Sequence, residues 1–154
     1  MPSFDHDSHQ EVTVQIRDIM TPNPRTVQPS DTLQAAAQAM DELNVGVLPV
    51  CEGERLVGLV TDRDIVIRSV SAGQDPRTAT VADAMTTGPR TMNIDKSVMD
   101  ALRMMEEQQL RRVPVLDGQG KLAGIVSLGD LAAAGTPEAG EVLEAISTPA
   151  EPDR

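Results

Sequence analysis

Two short motifs place a hydroxyl and a carboxylate three residues apart: Thr61-Asp62-Arg63-Asp64 and Ser127-Leu128-Gly129-Asp130. Each follows an apolar run, Gly58-Leu59-Val60 or Gly124-Ile125-Val126, and each leads into residues with helical apolar spacing. Hydroxyl and acid therefore stand where a strand hands over to a helix. Such a junction can hold a polar ligand, because a helix N-terminus offers free N–H groups and partial positive charge. It can equally be a capping box, in which Ser or Thr and an acid three residues on satisfy each other's backbone N–H groups. One copy needs no more than the cap. Two copies inside a whole-chain duplication call for a larger account.

The elements that position these motifs are legible from periodicity. Ile16 to Met20 reads as a short amphipathic turn, stopped by Thr21-Pro22-Asn23-Pro24. Arg25-Thr26-Val27 reads as a brief extended segment. Pro29-Ser30-Asp31-Thr32 supplies cap residues, and Leu33, Ala36, Ala37, Met40 and Leu43 follow at helical spacing. Val45 to Cys51 and Arg55 to Val60 read as two strands of a hairpin turned at Glu52-Gly53-Glu54. A second helix is expected from Asp62 to Val70, which makes the unit β-α-β-β-α. The unit then recurs. Met20-Thr21 returns as Met85-Thr86, Pro24-Arg25-Thr26 as Pro89-Arg90-Thr91, and Pro49-Val50 as Pro114-Val115, at an offset of 65 residues. One extra turn residue in Asp117-Gly118-Gln119-Gly120 raises the offset to 66, so Asp64 returns as Asp130. Two copies make a duplication and not a solenoid. The expected organisation is a disordered tail over 1–11, a first repeat over 12–72, a linker over 73–80, a second repeat over 81–135 and a tail over 136–154. Within that last tail, Pro137 to Ile146 could form a short helix.

Composition narrows the function classes. The chain of 154 residues suits one domain or two small halves sharing a core. Phe4 is its one aromatic residue, so base stacking on aromatic side chains is excluded. A net charge of −11 argues against nucleic acid and anionic membranes as partners, since both require a basic footprint. No apolar run approaches the ~20 residues of a membrane span. The segment Met1-Pro2-Ser3-Phe4 lacks the basic and apolar regions of a signal peptide, and Cys51 is the single cysteine, so a reducing, cytoplasmic location is expected. Cys51 lies in an apolar run and has Leu116 as its repeat mate, which predicts a buried structural thiol. Asp5, His6, Asp7 and His9 could ligate a metal, but a solvated tail is the simpler reading and no metal is expected.

The order and spacing of these segments resemble a tandem pair of CBS domains, the Bateman module. The likeness is carried by Asp18-Ile19-Met20-Thr21 and Val81-Ala82-Asp83-Ala84-Met85-Thr86, by Val47-Leu48-Pro49-Val50 and Arg111-Arg112-Val113-Pro114-Val115, and by the two strand–helix motifs. It runs from about Val14 to Ala134. The run Leu59 to Val66 also resembles the small stand-alone bacterial members. The resemblance implies an α+β fold: two β-α-β-β-α repeats packed sheet to sheet with pseudo-two-fold symmetry, leaving two clefts and often forming a disc-like homodimer. It implies an adenosyl ligand such as AMP, ADP, ATP, NAD or S-adenosylmethionine. Thr61 and Asp64, and Ser127 and Asp130, match the ribose motif. Arg111 and Arg112 match a basic position that reaches phosphate. Gly46 and Val47 stand there in the first repeat, so one cleft is expected to have these arginines and the other to lack them. Arg25-Thr26 and Arg90-Thr91 recur at one place in both repeats and could close on phosphate, with a solvated surface as the alternative. An apolar slot lined by residues such as Val47 can hold adenine without aromatics.

Three functions follow. The first is a regulatory module that binds an adenine nucleotide and signals through its dimer or through an unknown regulated partner. The second is a ligand-independent dimeric scaffold in which both motifs are only caps. An enzyme is the weakest: no Ser-His-Asp order, Cys-His pair or zinc spacing stands in the ordered region. The homodimer expectation rests on the likeness and on the Met, Ala and Val content of the helix faces Leu33–Met40 and Val98–Met105.

Overall fold

The computed structural model describes residues 14–134. The stretch holding Asp5, His6, Asp7 and His9, and the helix expected over 137–146, lie outside the described residues. In chain order the elements are α1 (Ile16–Ile19), β1 (Thr21–Pro22), α2 (Leu33–Leu43), β2 (Val47–Glu52), β3 (Arg55–Thr61), α3 (Asp62–Ile65), α4 (Val81–Ala84), β4 (Thr86–Thr87), β5 (Met92–Asn93), α5 (Val98–Gln108), β6 (Arg112–Leu116), β7 (Leu122–Ser127) and α6 (Leu128–Ala133). This is the expected α+β duplication.

The two long helices form for matching reasons. In α2 the Thr32 hydroxyl accepts from Ala35 N–H (3.1 Å), and in α5 the Ser97 hydroxyl accepts from Asp100 N–H (3.2 Å). Both end at a left-handed residue, Asn44 (φ 56°) and Gln109 (φ 55°), at the same repeat position. Leu33, Ala36, Ala39 and Met40 make the buried face of α2, and Val98, Ala101, Leu102 and Met105 that of α5. These faces are therefore already covered within the chain, which removes the helix-face motive for a dimer. Strand β2 is buried at five consecutive positions, Val47 to Cys51, as a strand covered on both sides must be. Its start is later than expected, because Asn44 ends the helix in the left-handed region and leaves Val45 exposed.

The halves interlock. One sheet runs β1-β7-β6-β5 and the other β2-β3-β4. Strand β1 thus pairs with β7 of the other repeat, Thr21 opposite Ile125, while β4 pairs with β3, Thr86 opposite Leu59. The sequence read Thr21-Pro22 only as a helix stop. The extended segment expected over Arg25–Val27 reduces to a bridge from Val27 to Val50, the mate of the parallel pair Met92–Val115. The short helices cross over too. Ile16 N–H donates to Lys96 C=O (3.1 Å) and Val81 N–H to Asp31 C=O (2.8 Å), which are equivalent bonds. Ile16 is buried in the second core with Val98, Leu102, Met105, Val126 and Leu131, and Val81 in the first with Leu33, Leu48, Val50 and Val60. Burying one such side chain contributes about 1.5–3 kcal/mol. The stretch expected as a linker is fastened at its end: Ala79 is buried, and its carbonyl accepts from Leu33 N–H (3.0 Å).

Two glycines permit the crossing. A Cβ on Gly124 would lie 2.7 Å from the Thr21 carbonyl oxygen and 2.6 Å from Met20 Sδ, and one on Gly58 would lie 2.7 Å from the Thr86 carbonyl oxygen. The backbone itself is in the way, so no side-chain rearrangement clears the space.

The helix expected from Asp62 to Val70 is α-helical only to Ile65. It widens into a π-helical turn over Val66–Val70, where Ser71 N–H donates to Val66 C=O (2.9 Å) and the Ser71 hydroxyl donates to Ile67 C=O. The turn leaves Val66, Ile67 and Val70 each more than half exposed, at 53%, 52% and 58%.

Two tests follow. Gly124→Ala should lower unfolding free energy by about 1–3 kcal/mol through overpacking. Gly129→Ala should be neutral or add up to about 1 kcal/mol, because Gly129 is helical and a Cβ there meets nothing nearer than 3.6 Å. Urea denaturation reads both, and equal effects would contradict the crossing. Cys51 is 3% exposed, and burial raises its thiol pKa. A small thiol reagent should therefore label native protein only as fast as the protein opens, and labelling within the mixing time would place the thiol at the surface. A raised thiol pKa also means that stability is full below the unfolded value of about 8.5 and falls as pH rises above it. That fall should be smaller in Cys51→Ala.

Candidate functional site

Both strand–helix motifs are genuine capping boxes. Thr61 N–H donates to Asp64 Oδ2 (3.0 Å) and Asp64 N–H to Thr61 Oγ1 (2.9 Å). Ser127 N–H donates to Asp130 Oδ2 (2.8 Å) and Asp130 N–H to Ser127 Oγ (3.0 Å). Similar boxes close Gln15/Asp18, Thr80/Asp83 and Ser97/Asp100. The motif alone therefore does not mark a site. What separates two boxes from the others is position: Thr61 with Asp64, and Ser127 with Asp130, line clefts between the halves. In both, the cap engages Oδ2 and fixes the carboxylate, while Oδ1 accepts no hydrogen bond among the described residues. Both aspartates are half-buried.

The Asp130 cleft has a volume of about 300 Å³ and is lined by Thr21, Pro24, Arg25, Asn44, Val45, Gly46, Val47 and Pro49 from the first repeat, and by Arg112, Ile125, Ser127 and Asp130 from the second. The Asp64 cleft, about 330 Å³, is lined by Leu59, Thr61 and Asp64 from the first repeat, and by Thr86, Gly88, Pro89, Arg90, Leu110 and Arg112 from the second. The strand crossing is what brings Pro24-Arg25 to Asp130 and Pro89-Arg90 to Asp64. Each cleft thus combines a fixed carboxylate, a small apolar wall and arginine, which suits a ligand with hydroxyls, an apolar ring and an anionic end.

The structure brings together Arg25, Val47, Arg112, Ser127 and Asp130 in one cleft, and Thr61, Asp64, Arg90 and Arg112 in the other. Three sequence candidates fall outside. Thr26 lines a separate crevice beside Cys51 and Gly53. Thr91 lines neither cleft. Arg111 lines neither cleft, and its carbonyl accepts from Leu128 N–H at 2.8 Å. The expectation that only one cleft carries the arginine of this position is overturned. Arg112 starts β6 opposite Ser127, and its long side chain lines both clefts, whereas its short repeat mate Val47 lines the Asp130 cleft. Sequence reasoning missed Thr21, Thr86, Asn44, Val45 and Leu110 as lining residues. Thr21 and Thr86 could have been found only by foreseeing that each repeat lends its first strand to the other.

Arg25 is paired with Glu42 (3.1 Å), whereas Arg90 and Arg112 form no ion pair among the described residues. No group of three or more His, Cys, Asp or Glu side chains among the described residues is arranged to hold a metal. No helix there is long and apolar enough to cross a membrane.

Comparison with known proteins bears on this arrangement. The family model described as CBS domain matches residues 16–71 and again 81–136. The CBS domain-containing protein YhcV of Bacillus subtilis is 44% identical over 117 residues, covering 76% of this chain and 82% of its own. Hypoxic response protein 1 of Mycobacterium tuberculosis is 44% identical over 117 residues, covering 75% and 81%. Among solved structures, Hypoxic Response Protein I with two coordinated zinc ions matches with a TM-score of 0.71 at 42% identity, over 80% of this chain and 100% of its own. CBSX2 in complex with AMP matches with a TM-score of 0.69 at 33% identity, over 79% and 95%.

Proposed function

This chain belongs to the CBS-domain family, and from that premise we propose that it is a regulatory binding protein whose clefts take an adenine nucleotide of the AMP, ADP, ATP or NAD type. The observation that carries the reading is the state of the two cleft aspartates. Each is oriented by its cap through Oδ2 and keeps Oδ1 for a ligand. A ribose cis-diol can donate to such a carboxylate, and bonds to a charged acceptor contribute on the order of 1.5–3 kcal/mol. Val45, Val47 and Ile125 in one cleft, and Leu59, Pro89 and Leu110 in the other, offer an apolar slot for adenine. Arg25, Arg90 and Arg112 supply cations for phosphate. Cleft volumes of about 300 and 330 Å³ lie at the small end of the range for ligand pockets. That CBSX2, at 33% identity, holds AMP supports the ligand class.

The rival reading is a ligand-independent scaffold, favoured by the fact that the five capping boxes among the described residues are satisfied without any ligand. Titration separates the two. AMP, ATP and NAD are titrated by calorimetry into wild type, Asp64→Ala and Asp130→Ala. At least one should bind wild type, and each substitution should weaken its own cleft by roughly ten- to a hundredfold. Failure of all three to bind wild type, or affinity untouched by both substitutions, leaves the scaffold reading.

The proposal includes a cytoplasmic setting, in keeping with a single buried thiol. It includes binding without catalysis, and output through a dimer or a regulated partner. A ligand can shift such an assembly only through different affinity for its two states. The dimer surface we favour is the π-helical turn with Val66, Ile67 and Val70, whose apolar side chains the chain itself leaves exposed. Light scattering at micromolar concentration should give twice the chain mass, and Val66→Asp with Ile67→Asp should give the monomer. A wild-type monomer sinks this part of the proposal.

A further inference from the structure

Arg112 lines both clefts. Its side chain is exposed and makes no ion pair among the described residues. Beyond it the Asp130 cleft has Arg25, already paired with Glu42 at 3.1 Å, and the Asp64 cleft has Arg90. We propose that Arg112 makes the two clefts competitors for phosphate, so that a phosphorylated ligand in one cleft lowers the affinity of the other for a second. The proposal rests on the nucleotide reading above and concerns how the two sites are coupled.

Charge and geometry together produce this competition. A guanidinium is a planar fork that makes its two parallel bonds to one phosphate at a time. It carries one positive charge, while a phosphate monoester carries about −1.5 to −2 near neutral pH. The first ligand therefore neutralises Arg112 and turns it toward its own cleft. A second phosphate then meets a single arginine, the cleft's own aspartate and the first phosphate across the boundary. The chain as a whole has a net charge of −11, which adds to the repulsion. Adenosine has no phosphate and makes no demand on Arg112, so its two binding events are independent. The favoured doubly filled state thus pairs one phosphorylated with one unphosphorylated adenosyl ligand. Coupling of this kind is reciprocal between the clefts and commonly amounts to 5–150-fold.

The experiment must separate coupling from two clefts that merely differ. AMP and adenosine are titrated by calorimetry into wild type and into Asp64→Ala and Asp130→Ala, each of which weakens one cleft by roughly ten- to a hundredfold and leaves the other to fill first. Asp64→Asn and Asp130→Asn, which keep an acceptor for the cap, replace these if circular dichroism shows loss of fold. Wild type should bind AMP in a tight and a weak step. In both single-cleft variants the remaining cleft should bind AMP about tenfold or more tighter than the wild-type weak step, because Arg112 is no longer shared. Arg112→Gln should draw the two wild-type AMP steps together. Adenosine should show no change in the remaining cleft when the other is weakened. If one single-cleft variant binds AMP with the affinity of the wild-type weak step, the clefts are unequal but uncoupled and the inference is wrong. If wild type binds two AMP with equal affinity, it is wrong as well. If wild type binds neither AMP nor adenosine, the nucleotide reading itself fails and takes this inference with it.

Discussion

The close passage of one backbone over another, the Thr21 carbonyl over Gly124 and the Thr86 carbonyl over Gly58, is the constraint on which the rest of the structure depends. Only glycine leaves room there, so these two positions decide that each repeat can lend its first helix and strand to the other. A unit of about 60 residues buries only a marginal core alone. The exchange completes both cores at once, with Ile16 entering one and Val81 the other. It also makes the clefts. Without it, Arg25 would not meet Asp130, and Arg90 would not meet Asp64. Stability and site thus have one origin, and a change that loosens the crossing disturbs both.

The capping boxes show how one side chain can serve fold and site together. A carboxylate has two oxygens, and the backbone N–H of the cap residue needs only one. In Asp64 and Asp130 the cap holds Oδ2, which fixes the rotamer, and the second oxygen remains available in the cleft. Holding a binding group in place before a ligand arrives lowers the entropy cost of binding. Asp100 has the same box, but its Oδ1 lies 3.5 Å from Arg103 on a helix surface away from the clefts. The difference between a cap and a candidate site is therefore tertiary, and no local sequence window contains it.

That distinction marks how far the sequence could be read. The duplication, α2, α5 and the two hairpins were legible because their apolar periods extend over many residues and repeat. Strands β1 and β4 were not, since two residues carry no alternation and Thr21-Pro22 has the composition of a helix stop. The widened turn after Ile65 was not legible either, because Val66, Ile67 and Val70 keep apolar spacing while facing outward. At the site, Asp64 and Asp130 could be named from the motif, and Arg112 from its place before a strand. That Arg112 lines both clefts depends on the meeting of two halves, which no stretch of either repeat contains.

A duplication makes two equivalent clefts, so the departures from symmetry are what can make them behave differently. One is Val47 against Arg112. Another is Arg68, whose repeat mate is Ala134. One guanidinium nitrogen of Arg68 donates to the carbonyls of Ala84 and Met85, both at 3.0 Å, and to the Thr86 hydroxyl at 3.3 Å. That side chain fastens the lent segment that forms a wall of the Asp64 cleft. An alanine has no donor with which to fasten Met20 and Thr21 at the wall of the Asp130 cleft. Both walls keep their strand pairing and their glycine crossing, but among the described residues only the wall of the Asp64 cleft has this additional tie. Displacing the wall of the Asp64 cleft therefore breaks these charged-donor bonds as well as backbone pairing. The sequence differences that set charge at the boundary and stiffness at the walls lie outside the repeated T/S-x-x-D motifs, which are the part of the site that the duplication preserved.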